Sequence, residues 1–416
     1  MTTKVKAQED FFTKIPFSRY EELLYVLLQA PRDLNPWDER CRMGIPAIFW
    51  GLSGVGKSER LDAVAEQVLR MPLERLMPVS YPPENFVGVP VIVGKNVKSV
   101  VLIGQIRRLL REGLKDAVLI IDEASDANRL TQGAMQPLIL DRRVGDDVLP
   151  PGIRIMLLAN PPRYSAGGFE LVAALAKRLG HFYLPVEEDA IDAFCNHLED
   201  PTPPRLIPFK RGIEAIKDGW RSSWAATVGE VTTFHRTFRD LKLLHNQPEA
   251  GTVESGGSWP SLRTWKTAMQ CITARRCLGM DSRLDPYLMQ AFIGEAAASK
   301  WGTWAVYKDL PTPEQILSRD KGWDIGPETR IDRVSVMASG VATYVVAEGN
   351  KGTQVQMATV AWEWLELLAD NMFKDIAVRY GDKLCAKGLA NKAQGELRAT
   401  ARRVLRKLTK SKVMDV

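Results

Sequence analysis

The sequence predicts an α/β fold, a parallel sheet flanked by helices and followed by mainly helical segments, and three stretches of the chain predict it. Ile45 to Trp50 is a short apolar run suited to a buried strand. The glycine-rich turn Gly51-Leu52-Ser53-Gly54-Val55-Gly56-Lys57-Ser58 carries it into Glu59 to Leu69, where apolar residues return at helical spacing. Ala117 to Ile121 is a second apolar strand, ending in Asp122 and Glu123, and Ile153 to Ala159 is a third, ending in Asn160-Pro161-Pro162. Parallel sheets gather ligands beyond the carboxyl ends of their strands, so all three polar endings should face one crevice.

In chain order, Tyr20 to Gln29 reads as a helical lead-in, and a loop through Asn35-Pro36-Trp37 leads to the first core strand. A fifth core strand follows Leu179, and the core runs to about Pro185. Val186-Glu187-Glu188-Asp189 opens a helical part whose first helix starts over Ala190 to Leu198, and Asp200-Pro201-Thr202-Pro203-Pro204 marks a loop. An insertion is expected near residues 200 to 230; Phe234 to Leu244 is helix-like, and Gln247 to Ser258 reads as a Gly-rich crossover. Leu288 to Trp301 reads helical, Thr312 is placed to cap a helix, and Val334 to Val346 and Met357 to Arg379 are apolar enough to be buried helices. The expected organisation is an N-terminal helix and core over residues 1–190, a helical lid with an insertion over 191–300, and a helical C-terminal domain with a basic tail over 301–416.

The turn has the residues that a nucleoside triphosphate needs. Gly51, Ser53, Gly54, Val55 and Gly56 let backbone N–H groups fold around the phosphates, Lys57 reaches the outer ones, and the Ser58 hydroxyl is a magnesium ligand. Asp122 would hold the magnesium shell while Glu123 orients and polarises the attacking water, and Asn160 would stand beside the γ-phosphate.

These residues resemble the AAA+ ATPases, and within them the MoxR family. The resembling words are Tyr81-Pro82-Pro83-Glu84-Asn85-Phe86-Val87-Gly88-Val89-Pro90, Ile121-Asp122-Glu123-Ala124-Ser125, Gln132-Gly133-Ala134-Met135-Gln136 and Leu158-Ala159-Asn160-Pro161-Pro162. The likeness covers about residues 45 to 185 and continues more loosely to about 275. It implies an AAA+ P-loop NTPase core, ATP and Mg2+ as cofactors, and Asn160 as the sensor of the γ-phosphate. It also implies an insert in the second helix from Pro83 to about Leu102 and a hairpin over Val144 to Ile153, both facing the pore of a ring.

Such rings complete each site with an arginine from the neighbouring subunit, which neutralises charge on the transferred phosphoryl group. Arg178 is the first candidate, although Leu179 stands where the family usually has an aromatic; Arg163, Lys177 and the Arg142-Arg143 pair compete with it. Ser258-Trp259-Pro260-Ser261-Leu262-Arg263-Thr264-Trp265 resembles the opening of the helix that carries a second sensor arginine. Ser261 would cap that helix, and Arg263 would turn toward the nucleotide of its own subunit. Trp259 and Trp265 are expected to pack rather than to touch ligand.

Composition agrees. The 416 residues are 45% hydrophobic and 25% charged, an ordinary globular balance long enough for two or three cores. No apolar run approaches a membrane span, and Met1 to Asp10 is polar without a signal-peptide core, so a cytoplasmic chain is expected. Five cysteines lack metal spacing, Cys271 and Cys277 reading as helix packing residues, so neither disulfide nor zinc is expected. Arg398, Arg402, Arg403, Arg406, Lys407 and Lys410 recur on one side of a helix, and with a net charge of +6 they admit nucleic acid as a partner. The alternative reading of the same residues is an amphipathic helix with Val404, Leu405 and Leu408 turned inward.

The functional expectation is an ATP-hydrolysing ring, a hexamer of this chain, that remodels a protein client; the resemblance implies a partner bearing a von Willebrand factor A domain. Two alternatives stand beside it: a nucleic-acid motor of the minichromosome maintenance helicase type, and a slow, ATP-gated assembly scaffold.

Overall fold

The computed structural model describes residues 12–111, 113–165, 169–186, 191–192, 195, 206, 208–249, 256–305, 310–326, 328–390 and 395–409. The expected helix start at Ala190 to Leu198, the loop at Asp200 to Pro204, most of Gln247 to Ser258, and Lys410 lie largely or wholly outside these residues.

Six parallel strands form the central sheet: β1 (Thr13–Lys14), β2 (Ala47–Gly51), β3 (Leu73–Leu76), β6 (Asp116–Ile121), β9 (Gly152–Ala159) and β10 (Gly180–Leu184), in the order β1-β10-β2-β9-β6-β3. Leaving out the two-residue edge strand β1, the core order is 5-1-4-3-2, which with its flanking helices is the AAA+ P-loop arrangement. Register aligns the working ends: Leu184 lies opposite Gly51, Trp50 opposite Ala159, and Ile121 opposite Leu157. Every residue of β2 is buried, as is β6 after Asp116, because helices cover both faces of a parallel sheet. β3, with sequence Leu-Glu-Arg-Leu, is mostly half-exposed at the edge.

Two hairpins project from this core. The insert expected from Pro83 to about Leu102 is the short helix Glu84–Val87 followed by antiparallel β4 (Val89–Val93) and β5 (Asn96–Val100). The expected hairpin ahead of the sensor strand is β7 (Arg143–Val144) with β8 (Asp147–Val148). They are locked together: Ser99 N donates to Asp146 Oδ2 at 2.8 Å, Asp146 N donates back to Ser99 O, and Lys98 pairs with Asp147 at 3.3 Å.

The chain divides into two compact units, Met1–Asp218 with Leu241–Lys300, and Gly219–Asp240 with Trp301–Val416. In the first, the helices Leu262–Cys277 and Asp285–Ile293 pack against the lead-in helix Tyr20–Gln29 and the β1–β10 edge. A Cβ on Gly180 would come within 2.6 Å of the Phe292 ring, so this helix lies directly on the strand. Ser261 and Thr264 form the capping box expected at Leu262–Cys277, and Thr312 and Gln315 form another at Pro313–Leu317. The second unit is helical: Ile331–Ala347, Lys351–Asp370, Lys374–Ala386 and Gly395–Thr409 enclose Trp362, Trp364 and Tyr380.

Three helices expected to be continuous are broken. Phe234 to Leu244 stops at Arg239 (φ 48°), Leu288 to Trp301 breaks at Gly294 (φ 75°), and Met357 to Arg379 breaks at Met372 (φ 71°). Left-handed backbone ends a right-handed helix, and neither arginine nor methionine announces it. The helix expected over Glu59 to Leu69 starts as Lys57–Asp62 and widens into a π-helical turn, Ala63–Val68.

Candidate nucleotide site

The turn after β2 is shaped by Gly54 and Gly56, at φ 80° and 81°, where a side chain would strain the loop; Gly56 then caps the helix Lys57–Asp62. Its amino end is braced from below, since Tyr20 on the lead-in helix donates its hydroxyl to Lys57 O at 2.9 Å and Glu21 pairs with Arg60 at 3.2 Å. Lys57 is 8% exposed, and its Nζ donates to Gly51 O and Leu52 O at 2.8 Å each and to Asn160 Oδ1 at 3.3 Å. Burial pulls its pKa down to about 8, against the opposing pull of the Asp122 charge.

Asp122 leaves the end of β6 beside this loop. Ser58 Oγ approaches Asp122 Oδ2 at 3.5 Å, while Oδ1 accepts from Glu123 N at 3.0 Å. Glu123 occupies left-handed backbone, φ 53°, a strained conformation for a glutamate. Burial, and then the charges of Asp126 and Asp122, raise its carboxyl above the ordinary range, which suits a group that accepts a proton. Asn160 follows β9, anchored by Ser125 Oγ donating to its carbonyl at 3.0 Å. Ser53, Gly54, Gly56, Lys57, Ser58, Asp122, Glu123 and Asn160 thus line one cleft of about 320 Å³ at the carboxyl ends of the strands. Gly51 ends β2 and accepts from Lys57 through its carbonyl, and Val55 is half-buried in the turn.

Magnesium fits the donor set. Ser58 and Asp122 offer two hard oxygens, and magnesium commonly takes one or two protein oxygens and completes its shell from phosphates and water. Among the described residues no cluster of three histidines, cysteines or acids forms an all-protein metal cage.

No protein-family model matches the chain, and no curated protein matches it in sequence. Among solved structures it is similar to a candidate ATPase from Cytophaga hutchinsonii, at 10% identity and a TM-score of 0.40, over 70% of this chain and 85% of that one. At that identity and score, the chemistry has to be read from the site itself.

Arg178 and Arg263 are brought together, away from Lys57. With Arg32, Arg42, Lys266 and Asp141 they line a second cleft of about 300 Å³. Pro46, just before β2, also lines it, and Arg178 stands two residues before β10, so this cleft lies at the amino ends of the strands. The sequence expectation turned Arg263 toward the nucleotide of its own subunit; the structure places it on this second cleft. The reason is the course of Leu262–Cys277: its amino end lies at the Arg178 cleft, while Asp281, just beyond its other end, pairs with Arg19 at 3.3 Å near the phosphate loop. Arg32 donates to Leu140 O, and burial with the neighbouring Arg42 charge lowers its pKa to about 10; Arg42 is committed to Asp33 at 2.8 Å.

The competing arginines separate by burial. Arg142 is 1% exposed and donates to the carbonyls of Pro151 and Met43, so it holds loops together rather than offering charge. Arg143 and Arg163 are exposed, Arg163 over the Tyr164 ring. A larger cleft, about 670 Å³, opens near the amino ends of β6 and β9, where the buried Arg154 donates to Leu28 O at 2.7 Å and to Asp116 at 2.9 Å and leaves its Nη2 without a hydrogen-bond partner.

Sequence reasoning missed Arg75, whose guanidinium pairs with Asp122 Oδ2 at 2.5 Å and with Asp62 at 2.7 Å. A signal existed: an arginine close to the carboxyl end of a parallel strand points into the crevice where ligands gather.

Proposed function

We propose that this chain is a ring-forming ATPase of the MoxR type that hydrolyses ATP at its subunit seams and uses the cycle to remodel or activate a protein partner. The observation that carries the reading is the pairing of two clefts at opposite ends of one sheet. One holds a phosphate loop, a carboxylate pair and an amide; the other offers Arg178 and Arg263. A neighbour's arginine cleft closing on the phosphate cleft would make a complete phosphoryl-transfer site, as a hexameric ring of this chain requires.

In that site the backbone N–H groups of the loop and Lys57 hold the β- and γ-phosphates. Ser58 and Asp122 would hold magnesium, which when bound would supply charge neutralisation on the phosphate oxygens. Glu123 accepts the proton of the attacking water, Asn160 fixes the water against the γ-phosphate, and the neighbour's arginines stabilise charge on the transferring group. The β4–β5 hairpin, locked to its neighbour, presents Ile92 and Val97, a cross-strand pair 78% and 69% exposed, as an apolar surface for a client in the pore.

Equilibrium binding and phosphate release test the assignment. Lys57→Ala should lose most ATP affinity; Glu123→Gln should bind ATP and turn over roughly 10² to 10⁴ times more slowly. Normal turnover by Glu123→Gln would overturn the assignment of the base.

A second reading, nucleic acid as partner, is favoured by one feature. On Gly395–Thr409, Arg403 and Lys407 are spent on Glu366 and Asp370, whereas Arg398, Arg402 and Arg406 form an exposed row four residues apart. Filter binding across salt decides between the readings. If the row binds nucleic acid, replacing all three by Gln should flatten the salt slope by about three, and no binding by the parent retires the motor.

A further inference from the structure

Arg75 belongs to none of the roles above. It stands on β3, and its guanidinium bridges carboxylates from two other elements. Nη2 donates to both oxygens of Asp62, on the helix after the phosphate loop, at 2.7 and 2.8 Å. Nη1 donates to Asp122 Oδ2 at 2.5 Å. That oxygen is also the one nearest Ser58 Oγ, at 3.5 Å, so Arg75 is bonded to the oxygen that faces the other metal donor. The remaining oxygen, Oδ1, already accepts from Glu123 N.

A cation seated on Oδ2 weakens the attraction of Asp122 for a second cation in two ways. It takes up one of the lone-pair directions of that oxygen, and its positive charge repels a divalent ion a few ångströms away. Asp62 already holds the guanidinium through Nη2, which reaches both of its oxygens, so a charged partner remains when Nη1 leaves Asp122. Arg75 can therefore leave Asp122 without being stranded.

We infer that Arg75 is a resident counter-cation that competes with magnesium for Asp122 and is drawn onto Asp62 as the metal loads. It is a positioning residue of the metal site, and the inference rests on the ATPase reading above. Before loading, it holds the Asp122 carboxylate in place; during loading, it sets how much metal is needed.

The inference gives two variants opposite signs. Arg75→Gln removes the competitor and should bind a divalent ion more tightly. Asp62→Asn takes away the alternative partner, leaves Arg75 wholly to Asp122, and should bind it more weakly. A merely structural role for the bridge would weaken binding in both.

The probe is Mn2+ alone, titrated into the full chain without nucleotide at constant ionic strength and read as free Mn2+ by electron paramagnetic resonance. The dissociation constant should fall about fivefold for Arg75→Gln and rise about fivefold for Asp62→Asn, the factor of one part-exposed ion pair. Arg75→Lys, which keeps the charge, should stay near the parent. Equal or weaker Mn2+ binding by Arg75→Gln overturns the inference, as does unchanged or tighter binding by Asp62→Asn, or no binding by any of the chains. Should Arg75→Gln fail to fold, Arg75→Met takes its place, with the same tighter Mn2+ binding expected and equal or weaker binding overturning the inference. The titration involves no hydrolysis, so a parent without ATPase activity would overturn the ATPase reading and leave the Mn2+ order standing. A reversed order beside normal turnover would do the opposite.

Discussion

Among the arginines that compete for the seam, burial decides which can act. Arg178 stands just before β10 and Arg142 just before β7, yet Arg142 is enclosed, in left-handed backbone at φ 57°, with burial and neighbouring arginines drawing its pKa down to about 8. Removing it would leave the Met43 carbonyl without its donor, a loss of about 1–3 kcal/mol, while Pro151 O would keep the Met43 N–H. Arg142→Ala should therefore lower the melting temperature by several degrees, whereas Arg178→Ala, half-exposed at a cleft wall, should leave it within a degree or two of the parent. Thermal melts of the two purified variants check this, and equal losses would remove the distinction. The phosphate loop, the carboxylate pair and Asn160 were legible in the sequence because each sits at the end of an apolar run with its chemistry in adjacent residues. Arg75 and the companionship of Arg178 with Arg263 were not, because those contacts join residues 47 and 85 positions apart through the order of strands and the course of one helix. Arg263 was placed from the local word around it, and the direction in which its helix runs cannot be read from that word.

At the scale of elements, the sheet's short outer strand is held by side chains rather than by length. Phe12, just before β1, stacks on Trp50 of β2 at 4.8 Å and on His181 of β10 at 5.7 Å; Trp50 Nε1–H donates to His181 Nδ1, and His181 Nε2–H donates to Ala176 O. Burial lowers the His181 pKa to about 4, below the ordinary 6.5. The depressed value means that the unfolded chain takes a proton at a pH where the folded chain does not. Stability is therefore unaffected by His181 above pH 6.5, falls as the pH drops from about 6.5 to about 4, and levels off below, by on the order of 3 kcal/mol in all. His181→Gln should flatten the stability profile over that window in chemical denaturation, and an unchanged slope would dismiss the histidine as its source. The paired hairpins make a separate claim: Asp146→Ala, which removes the acceptor of Ser99 N–H, should speed amide exchange at Ser99 by about tenfold while leaving β6 and β9 protected. Strands buried on both faces were legible as apolar runs, and the hairpin insert by its position between recognisable words. β3 was not legible, because an edge strand reading Leu-Glu-Arg-Leu buries too little to look like one, nor were the breaks at Arg239 and Met372, where left-handed backbone falls on residues other than glycine.

For the whole molecule, the two clefts make a statement about assembly that neither makes alone. Under the proposed function each seam joins the Lys57 cleft of one chain to the Arg178–Arg263 cleft of the next, so bound ATP should add contacts across it. Sedimentation of Glu123→Gln should then give a larger species with ATP than without, and a monomer in both conditions at micromolar concentration would count against a ring. Mixing experiments locate the arginines. Arg178→Ala and Arg263→Ala should each bind ATP nearly as the parent does yet hydrolyse it ~10³-fold more slowly, since the phosphate cleft in each chain is intact and its neighbour's charge is missing. Either of them mixed with the inactive Lys57→Ala chain should regain turnover, because in about a quarter of randomly formed seams a sound phosphate loop meets a sound arginine cleft. The decisive mixture is Arg178→Ala with Arg263→Ala. If both arginines belong to the cleft offered across the seam, every seam receives that cleft from a single chain and lacks one arginine, so the mixture stays inactive. If Arg263 instead served the nucleotide of its own chain, seams with an Arg178→Ala chain on the phosphate side and an Arg263→Ala chain on the other would be complete, and activity would return. Recovery in that mixture, with mixed rings demonstrated by differently tagged chains, would place Arg263 back beside its own phosphate loop and overturn the shared role of the second cleft.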